Sequence, residues 1–541
     1  MSRLKYNAPI YVLLLLVFGV LVWYSYGWIE FDILQAKSLD EYAFHGSLLR
    51  MHEGILNLSL RGIFDFSQYL YGFPFFMLNE IVTFPFLFEA GNKYAVFLPR
   101  VLTSIFAIMC LYILDKVIEK EGASRLERVF VSIVVVSWYG FLMNATWMHP
   151  DFMMSAFLLL SFYMLLSADS NKKIYWLSVA MWGIAITVKF QAITYAPVVI
   201  IFFLIVLRKG DLSAVQATKN GFASILAILI IYLVLNPHVI HPEGAKAWWN
   251  DLVANVESNK TNFGWIGNVS LIQKMTDAVE QYYPYPLYLL FLAYSAYVVV
   301  RDWVAKRLTS AFLSASFVIA NSIYLLLFVN KSAGQYYLPV MLFSIPVIYD
   351  FILSFTNRLP NGKTMGRVLL ITVVVVLNIS VTAKPIALKI VARMNNQVTD
   401  RKGLYPTRYE DAIANLYEIR DLIQPYYKRM DVILVSPYIN FPIEHMRLKY
   451  DEVHTIYGPL DPEKHLVNQQ DAYMRTGLRY QKPKFVLLSK TDVYFDSERI
   501  KQMTKTSQYV QAKETIDKWF TGTGGYEFIA ESGSYFLFRE L

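Results

Sequence analysis

Two carboxylates stand side by side in KSLDEYAFHGSLLRMHEG, residues 37–54: Asp40 and Glu41. Adjacent residues on a helix point about 100° apart, so only one of them can face a given point. One carboxylate can then take a proton while the other caps, coordinates or pairs. Asp40 also stands where it could be the N-cap of a helix beginning near Glu41, with Ser38 as the rival cap. The periodicity that follows predicts an amphipathic interfacial helix ending at Gly54. Further on, Met148-His149-Pro150-Asp151 predicts a turn between two apolar runs. Asp151 can simply cap the next helix there, or His149 and Asp151 can line one cavity with Asp40. Lys189, in GIAITVKFQAITYAP, can snorkel to the surface or neutralise a phosphate. Lys331, Gln335, Tyr336 and Tyr337 gather in FVNKSAGQYYLP. Interfacial aromatics are usually a membrane belt, but beside a cation they would also suit a sugar-phosphate head group. In NPHVIHPEG, His238, His241 and Glu243 have a spacing that could bind zinc, or that marks a turn fixed by Pro237 and Pro242. No glycine-rich phosphate cradle occurs, which argues against ATP or a nucleotide-sugar as direct substrate.

The elements that must hold these residues are mostly membrane spans. The chain has 541 residues, of which 55% are hydrophobic and 17% charged, and its mean hydropathy is +0.37. A soluble domain cannot bury that much apolar surface. The net charge of +8 is explained by loops on one side of a membrane rather than by nucleic acid. Cys110, the single cysteine, excludes an intrachain disulfide and a cysteine-based zinc site. Residues 8–28 read as a retained first span rather than a signal peptide, because no small-residue cleavage pattern follows. Further runs at 93–114, 129–147, 152–168, 174–188, 190–207, 222–239, 284–303, 309–329, 336–354 and 368–385 bring the total to about 11 spans. Residues 73–88 are short and carry Pro74, Glu80 and Pro85. If they do not cross, the basic loops 115–128, 171–173, 208–220, 301–307 and 357–367 all fall on the side of the basic N-terminus. They therefore read as an interfacial or dipping helix. The consequence is two long outer loops, 29–92 and 240–283, and an outer C-terminal region, 386–541. In that region 405–427 predicts a helix, 431–437 and 484–490 buried strands, and 526–541 a hairpin turning at Ser532-Gly533. The expected architecture is a polytopic α-helical membrane domain, 1–385, with interfacial helices, followed by a small α/β domain outside the cytoplasm.

In order and spacing, LDEYAFHGSLLRM, YGFPFFMLNEIVTFPFLFEAGNKYAVFLPRVLTS, MHPD, VKFQAI and QYYLP, spread over roughly residues 1–385, resemble the GT-C membrane glycosyltransferases. The likeness is greatest to the protein O-mannosyltransferase and aminoarabinose-transferase branch. Relatives often carry a basic residue before the proline that aligns with Pro74, where this chain has Phe73, and some carry Arg where His149 stands. The resemblance implies a polyprenyl-phosphate sugar as donor and a site on the outer or lumenal face. It makes Asp40 the general base, with Glu41 holding a supporting residue or the acceptor. The leaving phosphate needs cations, and the candidates in falling order are Lys331, Lys189, Arg100 and His149. Arg100 could equally pair with Glu80 or Glu89. Asp151, Tyr336, Tyr337, Glu80 and Tyr71 would complete the cavity.

An acceptor hydroxyl is a poor nucleophile, and a positioned carboxylate that takes its proton is worth about 10²–10⁴-fold. One base and direct displacement imply inversion at the anomeric carbon. No cofactor is required; a divalent metal is not implied, although His241 and Glu243 leave one open. The expected partners are the lipid-linked donor, the bilayer and an acceptor that is glycan, lipid or protein. The expected location is the plasma membrane (the cell inner membrane), with site and tail outside the cytoplasm. A transporter or flippase of lipid-linked sugars is the rival, but it would place ionisable residues near the midplane and often shows repeats. A membrane scaffold is a third reading, and it would tolerate Asp40→Asn.

Overall fold

The computed structural model describes residues 2–27, 39–64, 68–88, 92–168, 172–261, 269–357, 363–398, 407–428, 431–435, 439, 441–442, 446, 453–455, 483–490 and 507–541. Among these, eight helices are long and apolar enough to cross a membrane: Asn7–Ser25, Lys93–Lys120, Phe190–Lys209, Ala214–Leu235, Tyr285–Val304, Ser310–Phe328, Gly334–Thr356 and Lys363–Met394. A ninth arises if Arg125–Val136 and Tyr139–Ala145, bent by 74°, form one span. The other two predicted runs are helical but shorter: Asp151–Leu165 has 15 residues and Lys172–Val188 has 17. At 1.5 Å per residue they reach roughly 22–26 Å, less than the ~30 Å hydrocarbon core. The chain is an integral membrane protein.

Backbone freed at the 74° bend has to find partners away from water. The Ser137 carbonyl accepts from Thr382 Oγ1 at 2.8 Å, and buried Trp138 packs edge-on against Tyr282 and Tyr283. Buried ions gather toward one end of the bundle. Arg128 forks onto Asp115 at 2.7 and 2.5 Å and reaches Asn7 and Glu119. Glu127 closes a capping box with Ser124 and accepts from Tyr349. Arg100 lies on the same helix as Asp115, roughly 22 Å away along its axis. The charged side chains of this helix therefore lie toward its two ends, with an apolar stretch between them.

The helix bearing the paired carboxylates runs Leu39–Leu56. Asp40 and Glu41 sit inside its first turn, so Asp40 does not cap a helix starting at Glu41; the helix is already under way at Leu39, two residues earlier. Ser38 lies outside the described residues. The helix also continues past Gly54. That glycine serves a close crossing: a Cβ there would lie 2.3 Å from the Gly62 carbonyl carbon. Residues 73–88 form a helix, Phe73–Thr83, with Pro74 in its first turn, and a 3₁₀ turn, Phe84–Phe86. Eleven residues span only about 16 Å, too little to cross.

The predicted boundary at 385 falls inside a helix. Lys363–Met394 runs through Pro385, and the architecture changes after it. Two short antiparallel strands, β1 (Gln397–Val398) and β2 (Thr407–Arg408), lead to the helix Tyr409–Ile423. Then comes a five-stranded sheet of β3 (Ile433–Val435), β4 (Val453–Thr455), β5 (Phe485–Ser489), β6 (Tyr526–Glu531) and β7 (Tyr535–Glu540), in the order β4-β3-β5-β7-β6. Strands β4, β3 and β5 are parallel, and the β6–β7 hairpin adds antiparallel to β5. Such a mixed sheet needs cover on both faces. Alternation supplies it. Ile433, Val435, Phe485, Leu487 and Leu537 face Ile419 and Ile423 of the Tyr409–Ile423 helix, together with Tyr42 and Val96 of the membrane domain. Leu434, Val486, Leu488, Phe536 and Phe538 face Ile516 and Trp519 of the helix Ser507–Phe520. Leu416, on the first of these two helices, belongs to the main membrane-domain core.

Candidate active site

Asp40 and Glu41 diverge as adjacent helical residues must. Glu41 turns inward and is 1% exposed. It accepts from Arg100 Nε at 2.6 Å and Nη2 at 2.9 Å, and from the Met148 backbone N–H at 3.1 Å. Arg100, 0% exposed, also donates through Nη1 to the carbonyls of Ser25 and Gly27. The pair fastens four pieces of chain together: the end of the first span, the Leu39–Leu56 helix, the Lys93–Lys120 helix and the 146–150 turn. Arg100 is therefore a clamp on Glu41. It pairs neither with Glu80 nor with an open cavity, and Glu89 lies outside the described residues.

Asp40 turns the other way and keeps 45% of its side chain exposed. His149 Nε2 stands 4.0 Å from its Oδ2. The imidazole is 2% exposed, stacks on Trp147 at 4.5 Å and 8°, and meets Phe44 and Tyr71 edge-on. Its Nδ1 is held by Asp151 Oδ2. The other Asp151 oxygen accepts from Lys189 Nζ at 2.5 Å. Asp151 thus joins the two as a buried hub.

Lys189 is carried to this point by backbone. Tyr71 and Lys189 form an antiparallel bridge, with the Gly72 N–H donating to the Val188 carbonyl at 3.0 Å and the Phe190 N–H to the Leu70 carbonyl at 3.2 Å. A Cβ on Gly72 would lie 1.5 Å from the Thr187 oxygen, so the position requires glycine by contact alone. The Phe73 N–H, at the helix start, donates to Asn236 Oδ1 at 2.8 Å.

Lys331 arrives from the opposite wall. Its Nζ lies 5.6 Å from the Tyr336 ring centroid, and Lys189 Nζ lies 5.4 Å from the same ring. Lys189 also faces the Tyr71 ring at 5.5 Å. The Lys331 side chain is buried, 2% exposed. Burial pushes its ammonium down to about 8; the charge of Asp40 works against that fall and Lys189 adds to it. Neighbouring Asn330 braces the loop, donating from Nδ2 to the Lys260 carbonyl and accepting the Val269 N–H.

Of the residues singled out in the sequence, Asp40, His149, Asp151, Lys189, Lys331, Tyr336 and Tyr71 come together. Tyr337 does not line this cluster: it is 1% exposed within the main core. Glu80 goes elsewhere too. It accepts from or shares a proton with His52 Nδ1 at 2.7 Å, more than three helical turns beyond Asp40, and burial pushes its carboxyl up despite that partner. His241 and Glu243 are exposed; Glu243 faces Arg61 at 3.4 Å, and among the described residues no group of three metal-ligating side chains forms. His238 is buried against Tyr69 and Phe64. Sequence reading missed Trp147 as the stacking partner of His149 and Met148 as the donor to Glu41. Neither leaves a sequence signal. The Arg100–Glu41 pair did leave one, since a charge within an apolar run must find its opposite.

Residues 77–241 match the family model described as dolichyl-phosphate-mannose-protein mannosyltransferase. No curated protein matches the chain by sequence. Among solved structures, ArnT from Cupriavidus metallidurans bound to undecaprenyl phosphate aligns over 98% of this chain and 98% of its own, with TM-score 0.51 and 12% identity. The apo state of ArnT from the same organism aligns over 99% and 98%, with TM-score 0.49 and 11% identity. The chain thus shares the fold of ArnT, a member of the aminoarabinose-transferase branch that its motif order resembles.

Proposed function

We propose that this protein transfers a sugar from a polyprenyl-phosphate donor to an acceptor hydroxyl at the outer membrane surface, with inversion and with Asp40 as general base. The observation that carries the reading is a half-exposed carboxylate beside His149, together with two buried ammonium groups over one tyrosine ring. The match of residues 77–241 to a mannosyltransferase family and the fold shared with ArnT support it.

The chemistry follows from what each group can do. A polyprenyl tail stays in the hydrocarbon, so the anomeric carbon must react at head-group depth, where Asp40 lies. As the acceptor oxygen bonds to that carbon, Asp40 takes its proton and the phosphate leaves with the bonding pair. Lys331 and Lys189 would face the charge developing on the phosphate, and their screening from water strengthens that interaction. Asp151 draws on Lys189, and Lys331, buried beside the same Tyr336 ring, is the first phosphate candidate of this reading. Glu41 and Arg100 keep the helix of Asp40 in place without touching substrate. The basic loops on the N-terminal side of the membrane support an outward site.

The decisive assay is transfer of a radiolabelled sugar from polyprenyl phosphate by the purified protein in detergent. Asp40→Asn is expected to lower turnover about 10²–10⁴-fold while the thermal midpoint stays close to wild type, because the side chain is half-exposed. Retained turnover removes Asp40 as the base.

A further inference from the structure

We infer that His149 is a positioning residue standing behind Asp40, which receives the proton that Asp40 takes from the acceptor. The inference deepens the reading of Asp40 as base and rests on it.

Asp151 is held as an anion by Lys189, and an ionised carboxylate only accepts. His149 Nδ1 lies in contact with that anion, where a bare nitrogen would repel it, so Nδ1 carries the proton. In neutral imidazole the other nitrogen, Nε2, is then bare, and that nitrogen faces Asp40 at 4.0 Å. A bare nitrogen gives an ionised Asp40 nothing. It does accept from a protonated Asp40, after a movement of about 1 Å, within reach of a half-exposed side chain. The arrangement therefore favours Asp40 in the state that follows proton abstraction. Stacking on Trp147 and the flanking rings of Phe44 and Tyr71 fix the ring plane.

The step balances. The acceptor O–H proton moves to Asp40 as the new C–O bond forms and the C–O bond to phosphate breaks. The proton then passes to Nε2, giving an imidazolium between Asp40 and Asp151. It returns through Asp40 to water once products leave. The charged and titratable groups facing the imidazole are Asp40 from the Leu39–Leu56 helix, Asp151 from the following helix, Lys189, and Tyr71. Burial holds the imidazole below its ordinary value against the pull of Asp151 and Asp40, which keeps Nε2 bare at neutral pH. The same position was read from sequence as a phosphate ligand; the bare nitrogen and the carboxylate it faces suit a proton better than an anion.

The test compares wild type with His149→Gln, whose amide still donates to Asp151 but does not titrate. Expected are a fall in kcat of about 10- to 100-fold, part of a full general-base contribution, a donor KM within about threefold, and loss of the part of the kcat/KM acid limb that wild type owes to protonation of Nε2, with the part owed to the Asp40 carboxylate remaining. A raised donor KM with unchanged kcat puts His149 on the phosphate and overturns the relay. Wild-type kcat and pH profile in His149→Gln, with Asp40→Asn inactive, overturn the relay and leave the base standing. An active Asp40→Asn overturns the base itself. Should His149→Gln fail to fold, the wild-type acid limb decides: its midpoint must shift with temperature as an imidazole's does, and a temperature-independent midpoint, typical of a carboxylate, overturns the proposal.

Discussion

Arg100→Gln separates a clamp from a phosphate ligand. Wild-type Arg100 places four N–H bonds on Glu41, Ser25 and Gly27 at 2.6–3.1 Å, with no exposed surface. Truncating it leaves the Glu41 carboxylate ionised, 1% exposed, and with only the Met148 N–H of these partners. Removing one partner of a buried pair costs about 3–5 kcal/mol, and Glu41→Gln is expected to cost a similar amount. The double replacement Arg100→Met with Glu41→Met removes both charges and fills similar volume. Its cost falls to that of the orphaned carbonyls and the Met148 N–H, about 1–3 kcal/mol, well below the sum of the singles. Denaturant unfolding in detergent micelles, run as a double-mutant cycle, reads this coupling. An Arg100→Gln protein as stable as wild type but with a raised donor KM would refute the clamp and put the guanidinium at the phosphate.

Two further outcomes are expected. Because burial pushes the Lys331 ammonium down to about 8, its folded state binds fewer protons than the unfolded chain between that pH and the ordinary lysine value. Its contribution to stability therefore rises with pH in that window, while donor kcat/KM falls as pH rises through about 8. Lys331→Arg, which stays charged, should move that alkaline limb upward, and an unmoved limb assigns it to another group. For topology, Lys363→Cys should react with a membrane-impermeant maleimide only from the cytoplasmic side and Ser532→Cys only from outside; the reverse pattern overturns the outward site.

Much of the frame was legible because it rests on periodicity. All eleven apolar runs fold as helices, and the strands at 433–435, 485–489 and the 526–540 hairpin lie within the predicted runs. What the sequence hid depends on contacts distant in the chain. β4, Val453-His454-Thr455, has no continuous apolar run of the kind that marks the equally short β3. The helix around Asp40 was expected to stop at Gly54, but that glycine serves a crossing with Gly62. Lone charges flagged the cluster correctly, whereas their pairing did not follow from spacing. Arg100 lies 59 positions from Glu41, and Lys189 lies 38 from Asp151. Tyr336 and Tyr337 are neighbours of one type, and only the 3₁₀ turn Gly334–Tyr337 sends one ring to the lysines and the other into the core.

Tyr42 has two addresses. It is two residues from Asp40, and its ring is buried in the same apolar layer as the underside of the tail sheet. A carboxylate misplaced by 1 Å can lose about 10²-fold in rate. On the proposed mechanism the C-terminal sheet is thus part of the gauge that sets where Asp40 stands, and shortening the tail is expected to slow transfer without removing any group proposed to meet the sugar.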